Sequence, residues 1–130
     1  MSYYIEKTIG TPFEAAIEQV TEALKEEGFG VLTQIDVQAT LKKKLGVDFP
    51  RYQILGACNP KYAYTALQSE PMIGTMLPCN VIVRETDGGE TVVAAIDPIA
   101  SMQAVSNPQL GEIADVIRAK LADAIDRLAS

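Results

Sequence analysis

A run typical of a β-strand ends at Cys58 and is followed at once by Asn59-Pro60, and this junction constrains the fold more than any other segment. Asparagine is a favoured helix cap and proline suits the first helical position, so a strand should pass directly into a helix here. A second Cys-Asn pair, Cys79-Asn80, opens another apolar run after Leu77-Pro78. Both cysteines are therefore expected at strand boundaries, where a thiol is either activated or simply buried.

Strand and helix patterns alternate along the rest of the chain. Short runs rich in β-branched residues predict strands at residues 3–9, 30–35, 51–57, 80–85 and 91–96. Helical spacing predicts helices from residue 12 to about 27, over 37–45, over 60–69 and from 108 to about 128. Residues 86–90 contain Asp87-Gly88-Gly89 and predict a hairpin between the last two strands. Residues 70–78 carry two prolines and a glycine and predict an irregular loop.

Capping residues support these helices. Thr11, Pro12 and Glu14 are expected to supply the N-cap, the first helical residue and the capping-box partner of the first helix. Asp36 is expected to cap the second helix, and Gly28 and Gly46 suit the left-handed positions after the first and second.

Each amphipathic helix has a distinct apolar face. The first helix presents Phe13, Ala16, Ile17, Val20, Ala23 and Leu24, and the second presents Val37, Leu41 and Leu45. The last helix carries a heptad-like stripe about 30 Å long, formed by Leu110, Ile113, Ala114, Ile117, Leu121, Ala124, Ile125 and Leu128. A stripe of that length requires a long partner, which is either the sheet or a second subunit.

The order β-α-β-α-β-α-β-β-α mixes crossover units with a hairpin. It predicts an α+β fold, a two-layer sandwich with helices on a mixed sheet of about five strands. Residues 1–130 suit a single domain, since the chain shows no repeat, linker or low-complexity tract.

Composition excludes several kinds of chemistry. The chain has no histidine, so triads of the Ser-His-Asp and Cys-His kinds are impossible within it, and two cysteines are too few for a closed zinc site. The net charge of −6 argues against nucleic acid and anionic membranes as partners, with Lys42-Lys43-Lys44 as the basic cluster. The first residues lack a signal-peptide pattern, and two cysteines are better interpreted as free thiols, so we expect a cytoplasmic protein.

Several of these motifs together resemble the bacterial and archaeal domain of unknown function 302 family. The segments that carry the resemblance are Gly28-Phe29-Gly30-Val31-Leu32-Thr33, Ile35-Asp36-Val37, Lys44-Leu45-Gly46, Leu55-Gly56-Ala57-Cys58-Asn59-Pro60, Glu70-Pro71, Leu77-Pro78-Cys79-Asn80-Val81 and Asp97-Pro98. The resemblance implies a compact α+β domain that commonly associates as a homodimer, without a settled activity.

The sulfur-containing residues offer the most specific chemistry. Cys58 lies before a helix start, where free amides and the helix dipole favour a thiolate; the alternative is a small buried residue that closes the strand. Cys79 could resolve Cys58 through a disulfide, or hold persulfide sulfur with it, if the two strands are neighbours. Met72, Met76 and Cys79 are soft ligands of the kind that select Cu(I), although methionine more often fills core gaps.

The neighbouring polar residues suggest a ligand cleft. Asn59 and Asn80 could direct their amides at a ligand, although a helix cap is the simpler role for Asn59. Tyr52, Tyr62 and Tyr64 could form walls of such a cleft.

Three functional hypotheses remain open at this point. The first is a small-molecule or partner-binding module with its cleft near Cys58, Asn59, Cys79 and Asn80. The second is a thiol-based redox or sulfur-handling protein that uses Cys58 and Cys79. The third is a homodimeric interaction scaffold that associates through the C-terminal helix. No residue is assigned to catalysis or to a metal, no cofactor is expected, and a non-enzymatic role is favoured.

Overall fold

The computed structural model describes residues 2–129 and contains one sheet of five strands in the order β1-β5-β4-β3-β2. The strands are β1 (Tyr4–Ile9), β2 (Gly30–Asp36), β3 (Tyr52–Cys58), β4 (Cys79–Glu85) and β5 (Thr91–Ile96). The helices are α1 (Phe13–Glu26), α2 (Val37–Leu45), α3 (Pro60–Ser69), α4 (Pro98–Ser101) and α5 (Pro108–Asp126). A 3-10 helix spans Pro71–Met76. The α+β class and the five-stranded sheet are thus confirmed.

The expectation of a mixed sheet is wrong, because all four strand pairs in the described chain are antiparallel. The β1-α1-β2 unit does bring the chain back in the same direction, but its two strands lie at opposite edges of the sheet. The connections through α2 and α3 join neighbouring strands and reverse the chain direction, as long hairpins do. Helical connections of this kind therefore do not imply parallel neighbours.

Local details correct four further expectations. Helix α1 begins one residue later than predicted, with Pro12 at the cap position, and the Thr11 hydroxyl donates to Gln19 Oε1 (3.2 Å) instead of capping. The predicted loop contains the 3-10 helix, whose tighter turn accepts proline at its start. Asp97 caps the short helix α4, which the sequence pattern did not predict. Strand β4 begins at Cys79 instead of Asn80.

Other local expectations are confirmed. Asp36 Oδ1 accepts a hydrogen bond from the Ala39 amide (2.9 Å), which caps α2. Gly28 and Gly46 adopt positive φ values of 86° and 68° after α1 and α2. Both positions are left-handed, where a side chain would strain the backbone.

The main core lies between one face of the sheet and helices α1 and α5. Inward-facing strand residues such as Leu55, Val81, Val83 and Val93 are fully buried against the apolar face of α1. Ile117 and Leu121 of α5 are buried in the same core, with exposed fractions of 7% and 0%. The C-terminal stripe is therefore part of the core, and the long partner that it was expected to need is the sheet.

Helix α2 differs from the other long helices, because none of its residues is buried. Its expected apolar face ends in Leu45, which is 69% exposed, and neighbouring Leu32, Ile35, Val47 and Phe49 are exposed as well. Strand β2 lies at the edge of the sheet beside this helix. We call Leu32, Ile35, Leu45, Val47 and Phe49 the β2-α2 surface.

No helix within residues 2–129 has the combination of length and apolar character that crossing a bilayer requires.

Candidate functional site

The junction of β3 and α3 forms one side of the candidate site. Cys58 is the last residue of β3, Asn59 has extended backbone angles, and α3 begins at Pro60. The direct strand-to-helix passage expected from the sequence is confirmed, but the side-chain cap is not. Asn59 Nδ2 instead donates to the carbonyl oxygen of Glu27 (3.3 Å). This side chain therefore ties the junction to the turn between α1 and β2.

The turn that receives Asn59 is itself held in place. Glu27 has its carboxylate bound by Arg127, through Nε at 3.0 Å and Nη2 at 2.8 Å. A Cβ atom at Gly28 would come within 3.2 Å of Asn59 Nδ2. The absence of a side chain at Gly28 therefore lets the amide of Asn59 lie close to the backbone of this turn.

The strand register brings the two cysteines together. Ala57 of β3 is opposite Cys79 of β4, so Cys58 lies one residue further along the neighbouring strand. With strands about 4.8 Å apart and a rise of about 3.4 Å per residue, the two cysteine Cα atoms are about 6 Å apart. That Cα separation lies within the range found for disulfides, but successive strand residues point to opposite faces, so a bridge would require the backbone to move at the end of β3; both thiols are free.

Both cysteines line one apolar cavity at this end of the sheet. The enclosed space measures about 40 Å³, and the concavity with its mouth measures about 440 Å³. Cys79 packs against the core from its strand, and Cys58 lines the cavity where β3 ends and the chain turns into α3. The lining residues are Phe29, Ala57, Cys58, Asn59, Tyr62, Ala63, Ala66, Leu77, Pro78, Cys79, Pro98, Met102, Ile113, Ala114 and Ile117.

The apolar surroundings change the ionisation of one thiol. Burial, and to a smaller extent negative charge on Cys58, raise the pKa of Cys79 from its ordinary value of 9.0 to about 11. This electrostatic effect of Cys58 agrees with the closeness inferred from the register. Cys79 is therefore a protonated thiol near neutral pH, and its sulfur is a poor nucleophile there.

Cys79 is placed by a close fit between β3 and the segment before β4. A Cβ atom at Gly56 would collide with Thr33 Oγ1 and would lie 2.9 Å from Pro78 Cγ. Pro78 immediately precedes Cys79 and also lines the cavity. The missing side chain at Gly56 thus allows the start of β4 to pack against β3.

Met102 comes to the cavity from a part of the chain that the sequence analysis did not connect with it. It follows α4, whose first turn is capped by Asp97 Oδ1 on the Ile99 amide (2.9 Å). Asp97 Oδ2 accepts a hydrogen bond from Arg118 Nε of α5 (3.0 Å), which fixes α4 beside α5. The sequence analysis predicted no helix after Asp97-Pro98, and no sequence pattern indicated what this turn would approach.

The structure separates other predicted site residues from the cavity. Asn80 is exposed and lies opposite Gly56, so of the expected set only Cys58, Asn59 and Cys79 share the site. Tyr62 lines the cavity, whereas Tyr52 and Tyr64 do not.

The proposed methionine ligands are also elsewhere. Met72 and Met76 lie on the 3-10 helix, are 72% and 39% exposed, and do not line the cavity. Among residues 2–129, no group of three or more histidine, cysteine or acidic residues could hold a metal ion.

The comparisons with known proteins agree on one family. A family model described as "Domain of unknown function DUF302" matches residues 5–128. The fold is similar to the crystal structure of an uncharacterized conserved DUF302 protein from Bacillus stearothermophilus, with a TM-score of 0.90 and 34% sequence identity over 98% of each chain. No curated protein matches the chain.

Proposed function

This chain belongs to the DUF302 family, and from that premise we propose that it is a non-catalytic module that binds a small apolar ligand in the two-cysteine cavity. The observation that supports the proposal is that Cys58, Asn59 and Cys79 line a single apolar concavity. Apolar pockets with a few convergent polar groups are the usual form of a small-molecule site.

The dimensions of the cavity restrict the ligand. The enclosed part, about 40 Å³, is smaller than the roughly 150 Å³ of a cavity that holds benzene, so only a group of a few heavy atoms fits there. The wider mouth accommodates the remainder of a larger molecule. Asn59 uses its amide nitrogen on Glu27, which leaves the amide oxygen as the acceptor that would orient a ligand donor.

Xenon is a suitable probe, because it occupies small apolar cavities without requiring a specific polar partner. Under xenon pressure, we expect amide NMR shifts to change for residues that line the cavity and not elsewhere. Ala63→Leu should fill the space and abolish those changes. Ala122→Leu is the matched control, since Ala122 is half-buried like Ala63 but does not line the cavity. Equal changes in both variants, or none in the unmodified protein, would refute the proposal.

A thiol function for Cys58 and Cys79 is favoured by one observation, their positions on adjacent strands about 6 Å apart. The raised pKa of Cys79 argues that Cys58 would be the attacking sulfur in such a function. Free thiols also support a reducing compartment, and we propose a cytoplasmic location on that basis. Rapid alkylation of intact cells followed by mass spectrometry tests the thiol function and the cytoplasmic location. A disulfide present under all conditions would contradict the cytoplasmic location. A disulfide that forms only under oxidative stress would support the redox role.

We further propose that the β2-α2 surface is where a second copy of the chain binds. Its five apolar residues are exposed on an edge strand and a helix that buries nothing in its own chain. Natural proteins usually cover or charge such edges. Lys42, Lys43 and Lys44 lie on the same helix, so they would stand at the polar rim of such an interface around its apolar centre.

Light scattering on the purified protein tests this interface. We expect a dimer that Leu32→Asp converts to a folded monomer. Met72→Asp is the matched control, since the two side chains are 67% and 72% exposed but lie on different surfaces. A monomer before substitution, or equal effects of both variants, would contradict the interface.

A further inference from the structure

We propose that a polar cleft at the other end of the sheet from the two-cysteine cavity binds a free amino acid. The cleft lies where β1 ends, β5 begins and α1 starts, and it shares no lining residue with that cavity. Its space of about 600 Å³ is within the range of small-molecule sites. The charged residues of its lining are Arg51, Glu85 and Glu90. A small molecule with both a carboxylate and an ammonium group matches this lining.

Strand pairing places four residues of the cleft in one row across the sheet. Thr91 of β5 is opposite Ile9 of β1 on one side and Glu85 of β4 on the other. The Glu85 amide in turn donates to the carbonyl oxygen of Arg51 (2.9 Å). Directly opposite side chains share a face of the sheet. This is the face that carries α1, because Ile9 is buried in the main core and the Arg51 guanidinium lies over the Phe13 ring (5.6 Å).

Thr91 provides the observation that points to a ligand. The residue is 4% exposed, and its hydroxyl has no hydrogen-bond partner among residues 2–129. In that part of the chain every fully enclosed side-chain nitrogen or oxygen atom has a partner, so the Thr91 hydroxyl opens onto the cleft that the residue lines. A hydroxyl so largely withdrawn from water loses free energy unless it is hydrogen-bonded. A ligand carboxylate would accept its proton.

The carboxylate of an amino acid would also meet positive charge in the cleft. Among the described residues the Arg51 guanidinium donates no hydrogen bond, and its ionic contact with Glu14 is long, at 3.8 Å. Helix α1 starts after Pro12 without a side-chain cap, so the amides of its first turn are free. Such a helix end favours an anion, and here it adds to the charge of Arg51.

The two glutamates exclude simpler ligands. A phosphate or another bare anion would be repelled by Glu85 and Glu90, and a bare cation would be repelled by Arg51 and the end of α1. An amino acid satisfies both sets of charges, because its ammonium group binds the glutamates while its carboxylate binds Arg51. Pro12 and Phe13 also line the cleft and favour an apolar side chain.

A titration with L-leucine, followed by amide NMR shifts, tests the site. We expect saturable changes in residues 8–13 and 85–91 and none around the two-cysteine cavity. Two analogues each lack one charged group: 4-methylpentanoate has no ammonium, and 3-methylbutylamine has no carboxylate. Each should bind at least about tenfold more weakly than L-leucine, because a charged hydrogen bond is lost. An analogue that binds as tightly as L-leucine would overturn the proposal.

Two substitutions test the row of residues itself. Arg51→Gln and Thr91→Val should each weaken the binding of L-leucine by at least about tenfold, and circular dichroism establishes that both are folded. Arg84→Gln is the matched control for Arg51, because Arg84 precedes Glu85 in β4, faces the other side of the sheet and should leave binding unchanged.

Equal affinity in Arg51→Gln, Thr91→Val and the unmodified protein would overturn the proposal, as would the absence of saturable binding in the unmodified protein. Xenon measurements on the same samples report the two-cysteine cavity separately. The failure of the amino-acid site is therefore distinguishable from the failure of the proposed function.

Discussion

The alkaline stability of the protein should depend on the thiol of Cys79. Burial raises the pKa of this thiol from 9.0 to about 11 in the folded protein, whereas the unfolded chain exposes it to water. Between these values the folded state retains the proton more strongly than the unfolded state does. The stabilising contribution is therefore fully present below about pH 9 and is lost as the pH rises through about 11.

The size of the effect follows from the two pKa values. A difference of about two units corresponds to about 2.7 kcal/mol of unfolding free energy, reached above about pH 11. At about pH 10 the loss is about 1.4 kcal/mol, and near neutral pH it is about zero. Other groups also titrate at alkaline pH, so the comparison with Cys79→Ala is the informative quantity.

Urea unfolding in a reducing buffer at about pH 8 and about pH 10 measures the effect. The unmodified protein should lose about 1.4 kcal/mol more than Cys79→Ala between the two conditions. Cys58→Ala should keep most of the loss, because burial is the larger cause of the raised pKa and the charge of Cys58 is the smaller. If the free energy of unfolding fell equally between the two pH values in the unmodified protein and in Cys79→Ala, the pKa of the Cys79 thiol would be the same in the folded and unfolded states.

Three substitutions, two of them with a control substitution, test the fold. Leu121→Ala should lower the free energy of unfolding by about 3–5 kcal/mol, because the side chain is fully buried. Val116→Ala, on the exposed side of α5, should lower it by less than about 1 kcal/mol. If both variants lost equally little stability, the stripe would lie outside the core. Gly56→Ala should cost about 1–3 kcal/mol because its Cβ collides with Thr33 and Pro78, while Gly111→Ala, in open space on α5, should stabilise by up to about 1 kcal/mol. Gly28→Ala should lower the free energy of unfolding by about 1–3 kcal/mol, since φ is 86° there and a side chain would strain the backbone. Chemical denaturation measures the stability of all these variants. An unchanged stability of Gly28→Ala would contradict the expected backbone strain.

The candidate site was predictable in part. The junction after Cys58 followed from local signals, and the structure confirms that β3 passes directly into α3. The role of the Asn59 side chain was not predictable, because its partner, Glu27, lies 32 residues away in sequence. Met102 was not connected with the cavity for the same reason, whereas Met72 and Met76, which are close to Cys79 along the chain, do not line it.

The sequence by itself determined the features that depend on residues a few positions apart along the chain. These include the five strands, the long helices, the cap at Asp36, and the left-handed glycines at 28 and 46. Such features depend on side-chain period and backbone sterics, which are present in any short segment. They were sufficient for the α+β class.

Only the tertiary structure decided the order and direction of the strands and which residues meet. Strands β3 and β4 are neighbours because Leu55 and Ala57 pair with Val81 and Cys79 and bury one common face against α1 and α5. The same packing buries the stripe of α5, leaves α2 exposed and brings both cysteine residues to the lining of one cavity. These outcomes depend on burial of apolar surface between segments far apart in sequence, and no local pattern specifies which of several apolar faces will meet.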